Sequence, residues 1–475
     1  MLHYIEQIGR KRKGQDPGRP ARMRKSRRMI DTETFDYNAP TAGTASLPEV
    51  YRSIPIRASI SRWRKMLAFG GPGLLVAVGY MDPGNWATDI AGGSRYAYEL
   101  LSVILISNWM AILLQTLAAR LGVVTGRDLA QACRAYYSRP TAIGLWILCE
   151  IAIAACDLAE VIGSAIALQL LFGIPLIWGV CLTAFDAIVI LYLQHHGFRF
   201  VEALVAALIA TIGICFAIEI FWAQPEWEGI MRGLVPTARL LRDPDMLYIA
   251  ISILGATVMP HNLYLHSSIV QTRAIERTRA GIREAINYNF ADSTIALSFA
   301  FFINAAILVM GAAVFYRSGR TDIAEIQDAY KTLTPLLGTT MASYLFAVAL
   351  LCSGQNATLT GTLAGQIVME GFLNIRLKPW LRRLITRLIA IIPAIIVTAL
   401  SGENGTAKLL ILSQVILSLQ LSFAVFPLVM FTSDPAKMGE FANPRWLRIL
   451  SWTVGFSIAL LNIWLLWQTF TEWTK

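Results

Sequence analysis

The 475-residue chain is 55% hydrophobic and only 15% charged, with a formal net charge of +10. A soluble domain carries about 25% charged residues, so a water-soluble globular fold is excluded. Several apolar runs approach the roughly 20 residues that cross a bilayer as helix, and the ~10-residue alternating segments of a membrane β-barrel are missing. The expected fold class is an all-α integral membrane protein.

Residues 1–62 form a basic stretch, dense in Lys and Arg between Arg10 and Arg28. No apolar core of signal-peptide type follows a short basic start. The stretch reads as a disordered cytoplasmic tail, with anionic lipid headgroups as its alternative contact. Nucleic acid is not an expected partner of a tail joined to a membrane body.

The transmembrane domain spans 63–475. Eleven hydrophobic segments start near Met66, Leu100, Ala142, Pro175, Val201, Met246, Ala285, Gly338, Leu384, Leu409 and Leu447. Lys and Arg accumulate in cytoplasmic loops, and here they gather in alternate ones. Arg120, Arg127, Arg134 and Arg139 follow the second segment, Arg199 the fourth, and Arg273, Arg277, Arg279 and Arg283 the sixth. Arg376, Lys378, Arg382 and Arg383 follow the eighth, and Lys437 and Arg445 the tenth. This alternation predicts a cytoplasmic N-terminus and an outer C-terminus, and the assigned spans leave short loops with no soluble domain expected. The six cysteines are isolated and form no C-x-x-C pair, so neither a thiolate metal site nor a disulfide framework is indicated.

The first and sixth segments are interrupted. The first places Met81-Asp82-Pro83-Gly84-Asn85 at about bilayer depth. An ionised Asp there costs at least about 2.5–3.5 kcal/mol, Pro83 removes a helix hydrogen bond, and Gly84 weakens the helix further. The sixth breaks at Met259-Pro260-His261-Asn262. The two breaks share Pro-x-Asn and lie five spans apart, the spacing of two inverted five-helix repeats (approximately 66–222 and 246–431, with an eleventh helix over 447–469). Paired discontinuous helices point to a transporter's binding site. Asp82 offers a hard anionic oxygen, Asn85 a neutral carbonyl, the turn near Ala256 a backbone carbonyl, and Met259 a thioether. Oxygen mixed with sulfur favours later first-row divalent cations over Mg²⁺ and Ca²⁺.

At these residues the sequence resembles the Nramp family of proton-coupled divalent metal-ion transporters. DPGN at 82–85 and MPHNLYLHS at 259–267 are similar to its two signature stretches. The similarity continues through DLAEVIGSAIALQLLFGIPL (157–176), GQNATLTGTLAGQIVMEGF (354–372) and LSQVILSLQLSFAVFPL (412–428). The resemblance implies the LeuT-type fold and import of Mn²⁺, Fe²⁺ or a similar ion in symport with protons by alternating access. It implies that Asp82, Asn85, Met259 and the Ala256 carbonyl coordinate the ion, with Gln414 joining in an occluded state. Ser422 stands where the family often has proline, which bears on helix bending rather than on the ligands.

Proton coupling needs titratable groups. Glu150, Asp157 and Glu160 share nearly one face of the third segment. Arg382, Arg383 and Arg387 begin the ninth segment, and the resemblance implies that arginines there pair with Asp157 and Glu160 as a proton route. His261 beside the metal position and His266 a turn beyond Asn262 are further candidates, since histidine titrates near physiological pH. Asp82 itself can take a proton. Asp186 and Asp292 are additional intramembrane acids.

A sodium-coupled amino-acid transporter of the same fold is the alternative, but it would place small residues and free backbone amides at the break. A transporter-like metal-sensing receptor would need a large cytosolic output domain. No H-E-x-x-H, G-x-S-x-G or cofactor motif is present, so an enzyme is not expected. The expected partners are divalent metal ions, protons and the lipid bilayer, with no cofactor and a functional monomer in a bacterial inner membrane.

Overall fold

The computed structural model describes residues 45–56, 61–185, 197–321, 323, 325–375, 381, 385, 388–389, 391–396 and 405–473. The remainder of the N-terminal stretch, Asp186, and Arg376, Lys378, Arg382, Arg383 and Arg387 lie outside the described residues. The chain is built almost wholly from helices. The first segment is split into α1 (Arg62–Phe69), α2 (Pro72–Gly79) and α3 (Pro83–Tyr96). It is followed by α4 (Leu101–Thr125), α5 (Leu129–Tyr136), α6 (Arg139–Phe172), α7 (Leu176–Leu182) and α8 (Phe198–Ala223). The sixth segment divides into α9 (Pro244–Thr257) and α10 (Pro260–Ile269). Then come α11 (Arg279–Met310), α12 (Ile326–Leu337), α13 (Thr340–Leu373), α14 (Thr406–Thr432) and α15 (Arg445–Trp473).

Seven helical stretches among the described residues are long and apolar enough to cross a membrane, one of them the broken sixth segment. The split first segment, the helix Leu176–Phe185 and the 34-residue α13 account for the first, fourth and eighth segments expected from sequence. Most of the ninth lies outside the described residues. The helix α6 runs along α13, α4 along α11, and α9 along α14. Apolar side chains such as Trp109, Ile214, Phe221, Phe302, Ile463 and Trp467 stay exposed on the outer surface, as lipid-facing positions require.

Helix ends explain many of the basic residues. The Arg277 guanidinium donates to the Val123 and Val124 carbonyls at the end of α4, where Gly126 turns the chain at φ 65°. Arg134 donates to the Glu370 carbonyl near the end of α13. Such donors satisfy carbonyls that have no partner within the helix. Asp128 caps α5 in a reciprocal box with Gln131.

Residues 45–56, part of the basic N-terminal stretch, pack onto this same side of the bundle. Ala45, Ser46 and Leu47 are buried, and the Ser46 hydroxyl donates to Asp128. A two-residue strand β1 (Ile54–Pro55) pairs in parallel with β2 (Arg273–Ala274), and Arg52 donates to the Gln271 and Ile275 carbonyls.

Candidate functional site

The two proline breaks meet at the centre of the bundle. A proline nitrogen cannot donate to the carbonyl four residues earlier, so Pro83 leaves the Gly79 carbonyl open and Pro260 leaves the Ala256 carbonyl open. Both carbonyls turn to one side chain: Asn85 Nδ2 lies 3.3 Å from the Gly79 oxygen and 3.2 Å from the Ala256 oxygen. The same nitrogen lies 2.6 Å from Asp82 Oδ1, which also caps α3 by accepting from the Asn85 backbone at 2.9 Å. The second break reciprocates, its Asn262 Nδ2 donating to the Val76 carbonyl at 3.4 Å. The shared Pro-x-Asn is thus a mutual clasp, each asparagine serving a carbonyl of the other broken segment.

Small residues hold this geometry close. A Cβ on Gly79 would lie 2.1 Å from Asn262 Nδ2 and 3.1 Å from Met259 Sδ, so the thioether reaches the first break. A Cβ on Gly84 would fall 1.7 Å from Gln414 Nε2, and Gln414 itself donates to Asp82 Oδ2 at 3.5 Å. Gly163 of α6 makes room for the Pro83 ring. The break carbonyl of Met81 accepts from Trp86 Nε1 at 3.2 Å and from the Ser353 hydroxyl. Trp86 is in turn wedged between Phe216 and Phe346, with ring centroids 4.9 and 5.1 Å away.

Asp82, Asn85, Ala256, Met259 and Gln414 are all brought together and fully buried. Among the described residues, no three His, Cys, Asp or Glu side chains cluster in a way that would hold a metal ion. The convergent donors are one carboxylate with amide, backbone carbonyl and thioether groups. The Asn85 nitrogen carries the partial positive charge at their focus, with three oxygens pointing at it. A cation at that focus would take over those oxygens, with the amide turned to present Oδ1 instead.

The acidic group of α6 lies close by. A Cβ on Gly361 of α13 would sit 2.9 Å from Glu160 Oε1 and 3.2 Å from Asp157 Oδ1, so both carboxylates face the same glycine. Cys156 Sγ lies 3.6 Å from Glu160 Oε1. Glu150 is only partly buried and accepts from Trp146 Nε1 at 2.9 Å. His261 is buried beside Met259, and its Nδ1 has no hydrogen-bond partner among the described residues. His266 belongs to a separate chain of polar groups. Its Nδ1 lies 3.1 Å from Gln115 Oε1 and its Nε2 3.4 Å from Ser293 Oγ, while Gln115 Nε2 donates to the Tyr80 hydroxyl at 3.2 Å.

Sequence reasoning missed a second buried network at the start of α2. Asp292 accepts from the Gly71 and Gly73 amides at 3.3 and 2.7 Å, which makes this intramembrane acid a helix cap. Arg273, a loop cation by sequence, has a fully buried guanidinium bonded to Glu202 at 2.7 Å and to the Gly70 carbonyl. Arg199 joins from the other side of Glu202 at 3.0 Å. Glu202 and Arg273 are 71 positions apart, and nothing local in the sequence links them. The Gly70-Gly71-Pro72 tripeptide was the available signal.

Comparison with known proteins agrees with this architecture. A sequence model of the family described as "Natural resistance-associated macrophage protein-like" matches residues 73–468. The divalent metal cation transporter MntH of a Nostoc species is 65% identical over 434 residues, covering 91% of this chain and 98% of the relative. A protein of the same name from Listeria monocytogenes is 62% identical over 427 residues, covering 90% of this chain and 95% of its own length. The crystal structure of the Eremococcus coleocola manganese transporter superposes with a TM-score of 0.83 at 44% identity, over 88% of this chain and 90% of that one. Mhp1, a transporter of the nucleobase-cation-symport-1 family, shares the fold at a TM-score of 0.56 and 16% identity, over 87% and 94% of the two chains. Motifs, broken helices and overall fold agree, and the chain belongs to the Nramp family.

Proposed function

We propose that this protein is a secondary transporter that moves a divalent transition-metal cation, Mn²⁺, Fe²⁺ or a similar ion, with protons by alternating access. The observation that carries the reading is the focus at Asn85, where the Asp82 carboxylate and the two proline-freed carbonyls of Gly79 and Ala256 converge beside the Met259 thioether. The bacterial relatives and the manganese transporter of the same fold support it. A single carboxylate with neutral donors leaves a dication incompletely neutralised, and such weak binding suits release on the far side.

In this reading Asp82, Asn85, the Ala256 carbonyl and Met259 bind the ion. Gln414, already against Asp82 and Gly84, closes on it from α14 in the occluded state. The soft sulfur discriminates against Mg²⁺ and Ca²⁺. Protons travel through Asp82, His261 and the α6 carboxylates Glu150, Asp157 and Glu160, with Arg382, Arg383 and Arg387 as counter-charges and His266 on a side branch. The breaks at Pro83, Gly84 and Pro260 let the half-helices tilt. The alternating basic loops support a cytoplasmic N-terminus and an outer C-terminus in a bacterial plasma membrane, where the monomer is the working unit.

The test is metal uptake into proteoliposomes carrying an internal pH dye. Mn²⁺ entry with acidification of the lumen is expected, and it is lost in Asp82→Ala. Entry that survives Asp82→Ala at the wild-type rate contradicts the assignment.

A further inference from the structure

A carboxylate that plays no part in the proposed mechanism lies on the same helix face as the metal ligands. Asp89 follows Asp82 by seven residues and Asn85 by four, so all three align along α3. At 1.5 Å per residue it stands about 6 Å beyond Asn85 and about 10 Å beyond Asp82, on the side away from the N-terminal segment. It is completely buried, and neither of its oxygens has a hydrogen-bond partner among the described residues.

Among the described residues no Lys or Arg donates a hydrogen bond to it. The Asp82 carboxylate, two turns back along α3, is of the same sign. The flanking helix α9 and the π-helical segment Gly311–Tyr316, both packed against α3, contain no Lys or Arg. Arg95 at the end of α3 is exposed, six residues on and therefore on another face. Ionised without counter-charge or hydrogen bonds, such a carboxylate would be among the most unfavourable groups in a protein. Its natural complement is a mobile cation.

A second unsatisfied oxygen lies at the adjoining level. Asn304 of α11 donates its Nδ2 to Asn85 Oδ1 at 3.4 Å, and its own Oδ1 is buried with no hydrogen-bond partner among the described residues. From Asn304 the helix α11 continues beside α3, and a Cβ on Gly93 would lie 2.3 Å from the Leu308 carbonyl. Asp89 thus falls between the Asn85–Asn304 pair and this close helix contact.

We infer that Asp89, with Asn304 Oδ1, forms a second cation-binding step one helical turn from the central position, receiving the divalent cation on its way to Asp82. The inference rests on the metal-transport reading. Two carboxylates spaced along one face provide a relay: a cation held at Asp89 moves to Asp82, which gains the amide, carbonyl and thioether donors. A step of this kind concentrates dilute metal at one mouth of the path only, because the central position lies between Asp89 and the other mouth.

The experiment is side-resolved Mn²⁺ transport in oriented proteoliposomes, comparing wild type, Asp89→Asn and Asp89→Glu. For metal added on the side away from the N-terminal segment, Asp89→Asn is expected to raise KM roughly tenfold, the low end of what a steering charge contributes. Its Vmax should fall far less, and KM from the opposite side should stay at the wild-type value. Asp89→Glu should recover most of the loss, which also covers the case in which the asparagine variant does not fold. An unchanged KM from both sides, an equal rise from both, or a shifted pH profile with unchanged KM overturns the inference. If wild type itself takes up no Mn²⁺, the transport reading fails instead, and the two failures are distinct.

Discussion

At the residue scale, the site depends on which atoms the prolines leave open. Asp82, Pro83 and Pro260 were legible as candidate site residues because each is unfavourable at bilayer depth. The role of Asn85 as the point where Asp82, Gly79 and Ala256 meet was not legible, since it depends on two breaks 177 positions apart folding onto each other. Two substitutions probe these atoms separately. Met259→Ala removes the soft donor and leaves the oxygens, so Mn²⁺ uptake should persist while excess Ca²⁺ or Mg²⁺ becomes an effective competitor. Unchanged selectivity in a competition assay would show that sulfur is not the filter. Gly79→Ala places a methyl 2.1 Å from Asn262 Nδ2 and 3.1 Å from Met259 Sδ. It should reduce uptake at least tenfold with little change in expression, as measured by initial rates on normalised protein. A rate close to wild type would mean that the two breaks have slack between them.

At the scale of elements, two contacts tie distant parts of the chain together. One is the Glu202–Arg273 pair, whose guanidinium also reaches the Gly70 carbonyl before α2. Removing one partner of a buried pair strands the other, at a cost of about 3–5 kcal/mol. Arg273→Met should therefore lower the thermal midpoint in detergent sharply, and the double variant with Glu202→Leu should recover part of it. A single variant as stable as wild type would contradict that role. The pair escaped sequence reading because Arg273 sits in a basic stretch whose neighbours cap helices or meet solvent.

The other contact is the packing of residues 45–56 on Asp128, in the turn between α4 and α5. Burial pushes the Asp128 carboxyl up to about 6, partly offset by the hydrogen bonds from Ser46 and Gln131. A carboxyl raised in the packed state stabilises that state fully below its ordinary 3.8. The contribution is lost as pH climbs through about 6. Amide hydrogen exchange across 45–56, corrected for the intrinsic rate, should then be several-fold slower at pH 5 than at pH 7.5, and Asp128→Asn should flatten the difference. Equal protection at both pH values would rule out Asp128 as the titrating contact.

At the scale of the whole molecule, the sequence carried the class, the broken first and sixth segments and the family. Hydropathy, charge alternation and proline are local signals that survive without an alignment. What it did not carry are the contacts that cross the bundle: Gln115 with His266, Glu202 with Arg273, Asn262 with Val76, and Asp157 and Glu160 facing Gly361. The arginines expected opposite those acids lie outside the described residues. The proposed metal site draws on the geometry of the two breaks and is the sharper target. Its most direct measurement is Mn²⁺ uptake into proteoliposomes with the internal pH recorded at the same time. Wild type should import Mn²⁺ and acidify the lumen together, and Asp82→Ala should do neither. Uptake by Asp82→Ala at the wild-type rate, or no Mn²⁺ uptake by wild type at all, would contradict a metal site built on the two broken helices.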